Sequence, residues 1–239
     1  MKAMIFAAGL GTRLSNETSE KPKALVDVGG KPLLQRAIEK LKNEGITEIV
    51  VNVHHFSDLV ISFLKKNDFG IPVIISDESD KLLDTGGGLK KAAGYFTGKE
   101  PVLIYNVDIL SSLNIQNLVK SHLKSVALVT LAVRIRETQR YYKFDSEMNL
   151  VGWINKKTGE TKISRPGKFE TSIEMAYSGF HIIQPEIFSL MPETDRFSVT
   201  DFYLELAKNQ VIKGFTDDSD LWMDVGKPEQ LEDARRIFR

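Results

Sequence analysis

The chain has 239 residues, of which 42% are hydrophobic and 27% charged, and its 32 Lys+Arg balance 32 Asp+Glu. That makeup belongs to a globular protein with a substantial core; it excludes disorder, collagen and a general polyanion-binding surface, so nucleic acid is not an expected partner. Without a single cysteine there is no disulfide framework, thiolate metal site or cysteine nucleophile, and the cytoplasm is the expected compartment.

Residues Lys2 to Ala8 read as a buried strand. This start imitates a secretory leader, but its apolar run is short and is broken by Gly9, Gly11 and Arg13. A glycine turn follows, then Leu33, Leu34, Ala37, Ile38 and Leu41 at helical spacing, with Pro32 opening the helix and Gly45 ending it. Ile46 to Val53 reads as a strand, Ser57 as the cap of a helix through Lys66, and Pro72 to Ser76 as a further strand. A helix from near Thr85 through Ala92 precedes Val102 to Val107, an apolar run suited to a central parallel strand covered on both faces. The alternation predicts an α/β fold, Rossmann-like and doubly wound, with a mostly parallel central sheet whose ligands lie beyond the carboxyl ends of the strands.

After Val126 to Val133 the pattern loosens into short strands around Tyr141 to Phe144, Leu150 to Ile154 and Ala176 to Ile183, which predicts a smaller, lid-like β-rich region. Gly159, Ser164, Pro166 and Gly167 mark an exposed, mobile loop, and helices near Val199 to Lys208 and Pro228 to Phe238 close the chain. No apolar run is long enough to span a membrane, and there is no internal repeat.

Ala8-Gly9-Leu10-Gly11-Thr12-Arg13 sits where the first strand hands over, and its glycines let backbone N–H groups approach phosphate oxygens. It is not a dinucleotide fingerprint, because Leu14 occupies the third glycine position, and it lacks the Lys-Ser or Lys-Thr of a phosphate loop. Lys23 comes ten residues after Arg13, within Glu20-Lys21-Pro22-Lys23-Ala24-Leu25-Val26, and Gly29-Gly30-Lys31-Pro32 follows. Asp108 ends its strand and so brings a carboxylate to the ligand edge of the sheet. His54 and His55 are adjacent and point apart, so a shared metal ion is not expected. Trp153 and Trp222 read as core aromatics.

The glycine turn, Pro22-Lys23, Asn106-Val107-Asp108 and Trp222-Met223-Asp224-Val225-Gly226-Lys227-Pro228-Glu229 together resemble the nucleoside-diphosphate-sugar pyrophosphorylases, the sugar-1-phosphate nucleotidyltransferases. The resemblance covers nearly the whole chain. It implies one nucleotidyltransferase domain over 1–239, with a nucleotide-binding half at 1–133 and a sugar-binding half with the closing helices at 134–239. It also implies Arg13, Lys23 and Asp108 as catalytic residues. The nucleotide site would comprise Ala8, Gly9, Gly11, Thr12, Arg13, Lys23, Glu78, Gly86 and Asn106, with Glu78 on the base or ribose and the glycines of Asp84-Thr85-Gly86-Gly87-Gly88 beneath the base. Asp108 and Asp224 would hold Mg²⁺, a hard ion that needs few protein carboxylates. Gly179, Glu174, Lys156 and Asp201 would face the sugar, although the family's Glu-Lys pair is Asn155-Lys156 here and its Tyr-Gly is Tyr141-Tyr142.

The implied reaction joins a nucleoside triphosphate to a sugar 1-phosphate with release of pyrophosphate, by a monomer or homodimer. The string Asp-Thr-Gly-Gly-Gly is similar to that of uridylyltransferases acting on N-acetylmuramic acid 1-phosphate, which favours UTP; GTP-using mannose or heptose 1-phosphate guanylyltransferases are the alternative. Two rivals stand outside this reading. A dinucleotide-dependent oxidoreductase would need the complete glycine fingerprint, and a non-catalytic nucleotide-sensing subunit would not need Arg13, Lys23, Asp108 and Asp224 together.

Overall fold

A computed structural model describes residues 1–9, 11 and 14–238, without the side chains of Ser15 and Asn16. The first half runs β1 (Lys2–Phe6), α1 (Ser15–Thr18), a small hairpin of β2 (Asp27–Val28) and β3 (Lys31–Pro32), α2 (Leu33–Asn43), β4 (Glu48–Val53), α3 (Ser57–Lys66), β5 (Val73–Asp77), α4 (Asp84–Lys91), β6 (Val102–Asn106), β7 (Ile109–Ser111), α5 (Ile115–Lys124) and β8 (Val129–Arg134). The second half runs β9 (Arg140–Phe144), β10 (Leu150–Asn155), β11 (Thr161–Ile163), α6 (Pro166–Phe169), β12 (Ile173–Ile183), α7 (Val199–Leu206), β13 (Ile212–Thr216), β14 (Trp222–Asp224) and α8 (Pro228–Ile237).

The apolar runs of the first half make a parallel block in the order β5-β4-β1-β6. The chain moves outward from β1 to β4 and β5, then crosses back to lay β6 on the other side of β1. That reversal opens a crevice between the β1 and β6 carboxyl ends, because the two following connections leave on opposite faces of the sheet. Alternate residues of β1 feed opposite cores: Ala3 and Ile5 pack with Leu33, Ala37 and Ile38 of α2, whereas Met4 packs with Leu89 of α4 and Leu131 of β8. The α2 stripe read from its spacing is fully buried, and full burial of such a side chain stabilises by about 1.5–3 kcal/mol. Gly45, with φ +85°, ends that helix where a residue with a Cβ would be strained.

The second half extends the same sheet and does not form a separate layer. β12 pairs antiparallel with β6, β8 and β9; β10 and β11 continue outward, and β13 lies parallel to β8. The α/β fold with a parallel central block expected from the sequence is therefore present, and the lid-like region is built as an antiparallel continuation that makes the whole sheet mixed.

Two local readings change. Phe56, in the left-handed region at φ 52°, precedes α3, and no side chain caps that helix, so Ser57 is its first residue and not its cap. The segment expected as an exposed, mobile loop carries β11 and α6, because Phe169 turns inward over Gly152, where a Cβ would clash with its ring. Among the described residues, no helix is long and apolar enough to cross a membrane.

Candidate active site

The carboxyl ends of all four parallel strands open into one cavity of about 460 Å³. Phe6 to Gly9 and Gly11 line it from β1, Asn52 from β4, Glu78 from the end of β5, and Asn106 to Asp108 from the end of β6; Lys23, Asp84, Thr85, Arg196 and Gly226 complete the wall with Leu82. A single amide ties three of these strand ends together. Asn52 Oδ1 accepts the Ala7 N–H at 2.8 Å, and its Nδ2 donates to Glu78 Oε1 at 2.8 Å. The bond leaves Glu78 nearly without solvent contact, and burial raises its carboxyl above the ordinary value against the opposing pull of the Asn52 hydrogen bond.

The glycine turn folds back on itself at Gly11, whose φ of +65° needs a residue without a Cβ. Thr18 Oγ1 donates to the carbonyls of Gly11 and Leu14, each at 3.0 Å, which fixes the turn against α1. The Cα of Gly11 faces the Lys23 stem. Lys23 opens a single 3-10 turn after the extended Pro22, and its buried stem carries the ammonium to Asp108, with which it forms an ion pair.

Asp108 and Asp224 meet through a two-stranded ribbon that is separate from the large sheet. β7 and β14 pair antiparallel with Asp224 opposite Ile109, and the Val225 N–H donates to the Asp108 carbonyl at 2.9 Å. Both carboxylates are half-buried and neither is sealed in an apolar surround. Asp224 Oδ1 accepts the Gly226 N–H at 2.9 Å, and the buried Tyr105 hydroxyl holds the Ile109 carbonyl below the ribbon. The described residues contain no cluster of three or more potential metal ligands, so a cation at these two acids would complete its shell from water and phosphate oxygens.

Ala8, Gly9, Gly11, Lys23, Glu78, Asn106 and Asp108 thus line one cavity, with Asp224 joined to Asp108 through the ribbon. Thr12 and Arg13 lie outside the described residues. The reason for the glycine triplet is different from the expected one. Gly86 does not line the cavity: it is buried against Phe197, and a Cβ at Gly87 would run into the Asp195 carbonyl. These glycines let α4 dock on the 195–197 segment, where the Gly86 N–H donates to Phe197 O at 2.9 Å.

The sugar-side candidates do not line this cavity. Lys156 pairs with Glu174 at 2.7 Å, and Asp201 pairs with Lys162 at 2.6 Å. Gly179, at φ +90°, lies in the irregular stretch of β12 between Tyr177 and His181 and packs against Ile109, where a Cβ would clash. Two polar cavity residues escape the sequence reading. Asn52 carries a detectable signal, a polar side chain within the apolar run Glu48–Val53; Arg196 carries only the weak one of a cation just ahead of a helix capped by Ser198.

The Nucleotidyl transferase family model matches residues 2–238, and the chain belongs to that family. It is 33% identical over 235 residues to the N-acetylmuramate alpha-1-phosphate uridylyltransferase of Caulobacter vibrioides, which covers 95% of this chain and 92% of that relative. It is 27% identical over 248 residues to the probable mannose-1-phosphate guanylyltransferase 2 of Oryza sativa subsp. japonica, where the chain spans 64% of the longer relative. The crystal structure of HddC from Yersinia pseudotuberculosis matches at a TM-score of 0.82 and 25% identity, covering 100% of this chain and 99% of that one, and HddC has also been solved complexed with GMP-PN.

Proposed function

We propose that the chain transfers a nucleotidyl group from a nucleoside triphosphate to a sugar 1-phosphate and releases pyrophosphate. The observation that carries this reading is the Lys23–Asp108 ion pair on the wall of the cavity at the strand-order reversal, with Asp224 stitched beside it. A phosphate oxygen of the sugar 1-phosphate attacks the α-phosphorus in line, its new P–O bond forming as the bond to the β-phosphate oxygen breaks. The nucleophile is already ionised near neutral pH, so the protein's work is alignment and charge neutralisation.

Within this reading, the turn from Ala8 to Gly11 lies along the phosphates and Lys23 follows the charge that develops on them. Arg13, implied by the family resemblance, adds a second cation to the leaving pyrophosphate, and Arg196, which lines the cavity, contributes another. Asp108 and Asp224 would hold Mg²⁺, which when bound neutralises phosphate charge; two acids of hard oxygen donors on adjoining strands suit that ion. Asn106 and Glu78 border the nucleotide, and Gly86 acts by docking α4. Lys156, Glu174, Gly179 and Asp201 belong to the sugar side as support for β10, β12 and α7. The halves 1–133 and 134–239 act together as one catalytic domain in the cytoplasm, as monomer or homodimer.

UTP with N-acetylmuramic acid 1-phosphate is the favoured pair, supported by the Asp84-Thr85-Gly86-Gly87-Gly88 string and the Caulobacter relative. GTP is the second reading, and Glu78 favours it: a carboxylate can accept both N–H donors of guanine's edge, whereas uracil offers one donor between two acceptors. Pyrophosphate release measured for UTP, GTP, CTP and dTTP against N-acetylmuramic acid, mannose, heptose and glucose 1-phosphates decides between them. Turnover with UTP ahead of GTP supports the first reading, the reverse supports the second, and no release from any pair with Mg²⁺ present ends the proposal.

A further inference from the structure

Two arginines, one ending β8 and one two residues beyond it, look equivalent in the sequence and are held differently. Arg134, Ile135 and Arg136 alternate, so Ile135 is 87% exposed while both guanidinium groups turn onto the ring of Trp222, 5.5 and 4.4 Å from its centroid. Trp222 is fixed from below, its Nε1–H donating to the Ser178 carbonyl at 2.8 Å. Arg134 is spent on structure: it donates to the Ser219 carbonyl at 3.2 Å and lies 3.5 Å from the buried Asp217 carboxylate.

Arg136 is not spent in the same way. Its two Nη groups make long bonds, each 3.3 Å, to the carbonyls of Glu137 and Tyr177, and its buried Nε has no partner. Among the described residues no carboxylate stands within 4 Å of it. An unfilled buried donor on a cation is costly, so this arrangement is one the side chain can leave at a gain once an anion is offered. Burial lowers the guanidinium below its ordinary value, and the Asp224 charge opposes that shift.

Its position gives the anion an identity. Trp222 and Asp224 are two apart on β14 and share a face, so a guanidinium stacked on Trp222 lies on the side toward which Asp224 projects. The Tyr177 carbonyl it touches begins the irregular stretch of β12 that contains Gly179. A doubly charged phosphate entering beside Asp224 meets like charge unless a cation accompanies it.

We propose that Arg136 is the phosphate-binding arginine of the sugar 1-phosphate subsite, resting on Trp222 in the free protein and turning its planar fork onto the nucleophilic phosphate when the sugar substrate enters. This rests on the nucleotidyl-transfer reading and adds a residue to it. Stacking on the indole keeps the guanidinium weakly hydrated and in plane, ready for two oxygens at once, which a lysine could not match.

Trp222 makes the movement visible. The chain has two tryptophans, so Trp153→Phe leaves Trp222 as the sole indole. In that background, N-acetylmuramic acid 1-phosphate and mannose 1-phosphate are titrated in turn while Trp222 fluorescence is followed, with inorganic phosphate as a third probe. A saturable change with at least one sugar 1-phosphate, absent in Trp153→Phe/Arg136→Gln, is expected. In steady state, Arg136→Gln should raise KM for the sugar 1-phosphate about tenfold or more and leave nucleotide KM within about twofold, with Arg136→Lys restoring part of the loss. An unchanged sugar KM, a uniform loss across kcat and both KM values, or a fluorescence change that survives without Arg136 overturns the assignment. Turnover by the parent enzyme with an insensitive Arg136 sinks this proposal alone; absence of turnover with every substrate pair sinks the functional reading, and the fluorescence titration then still decides whether Arg136 takes a phosphate.

Discussion

At the parallel edge that opens into the cavity, polar side chains are spent on the cavity; in the antiparallel extension, they are spent on one another. Asn52 joins Ala7 to Glu78 at the cavity wall, and Lys23 pairs with Asp108 on it. On the antiparallel side, His181 is buried between the hydroxyls of Tyr177 and Tyr203 at 2.6 and 2.9 Å, Tyr142 meets Thr200 at 2.9 Å, and Lys156 and Lys162 hold Glu174 and Asp201. Parallel strands deliver their following loops to a common edge, so chemistry there comes from residues next to strand ends. Antiparallel strands deliver alternating side chains to two faces, and a fixed wall requires an internal network to hold each one.

That contrast can be broken at its strongest point first. Asp108→Asn and Lys23→Met should each lower pyrophosphate release by about 100-fold or more, with the urea midpoint little changed, because both groups act on charge at the cavity and not in the core. Retained turnover in either variant would remove the catalytic meaning of the ion pair. For Lys23→Met, a loss confined to nucleotide affinity would reduce the residue to a ground-state contact.

The next test separates packing from chemistry. Gly87→Ala should cost about 1–3 kcal/mol in chemical denaturation, since the new methyl meets the Asp195 backbone and not a movable side chain. Stability equal to the parent would show that α4 and the 195–197 segment are loosely joined.

Glu78 sharpens the comparison through pH. Its carboxyl is raised in the folded state above 4.5, so its protonated form is favoured by folding; the stability this supplies is present below that value and is lost as pH rises through the raised folded value. Glu78→Gln keeps an acceptor for Asn52 without the charge. Its melting temperature should therefore gain on the parent across that window and hold the gain at neutral pH; a difference independent of pH would contradict the burial argument.

The smallest effect belongs to the exposed sugar-side pair. Lys156→Ala should change stability by less than about 1 kcal/mol, as expected for a surface ion pair. A large rise in sugar KM on this substitution would mean that Lys156 leaves Glu174 to meet substrate.

Much of the cavity edge was legible because each element announces itself locally. An apolar run ending in Asp108, a glycine turn ending the first run and a lysine after Pro22 need no knowledge of distant residues. The antiparallel extension was less legible. Gly179 looked like a pocket glycine, yet its freedom is required by a bulge and by Ile109, which is 70 residues earlier in the chain. Phe169 turned an expected loop into β11 and α6 because burying its ring against Gly152 outweighs the local glycine and proline signals around it. Arg136 carries no motif: both arginines lie on the ring of Trp222, and only the partnerless Nε of Arg136, against the Asp217 ion pair of Arg134, distinguishes them.

The close docking of Gly86 on Phe197 ties α4 and the segment bearing Arg196 into one mechanical unit. A side chain added at Gly86 would push that segment outward and carry Arg196, which lines the cavity, with it. The wall at Arg196 and the seating of α4 therefore cannot be retuned independently in this molecule, and a larger residue at Gly86 would call for a compensating substitution at Phe197.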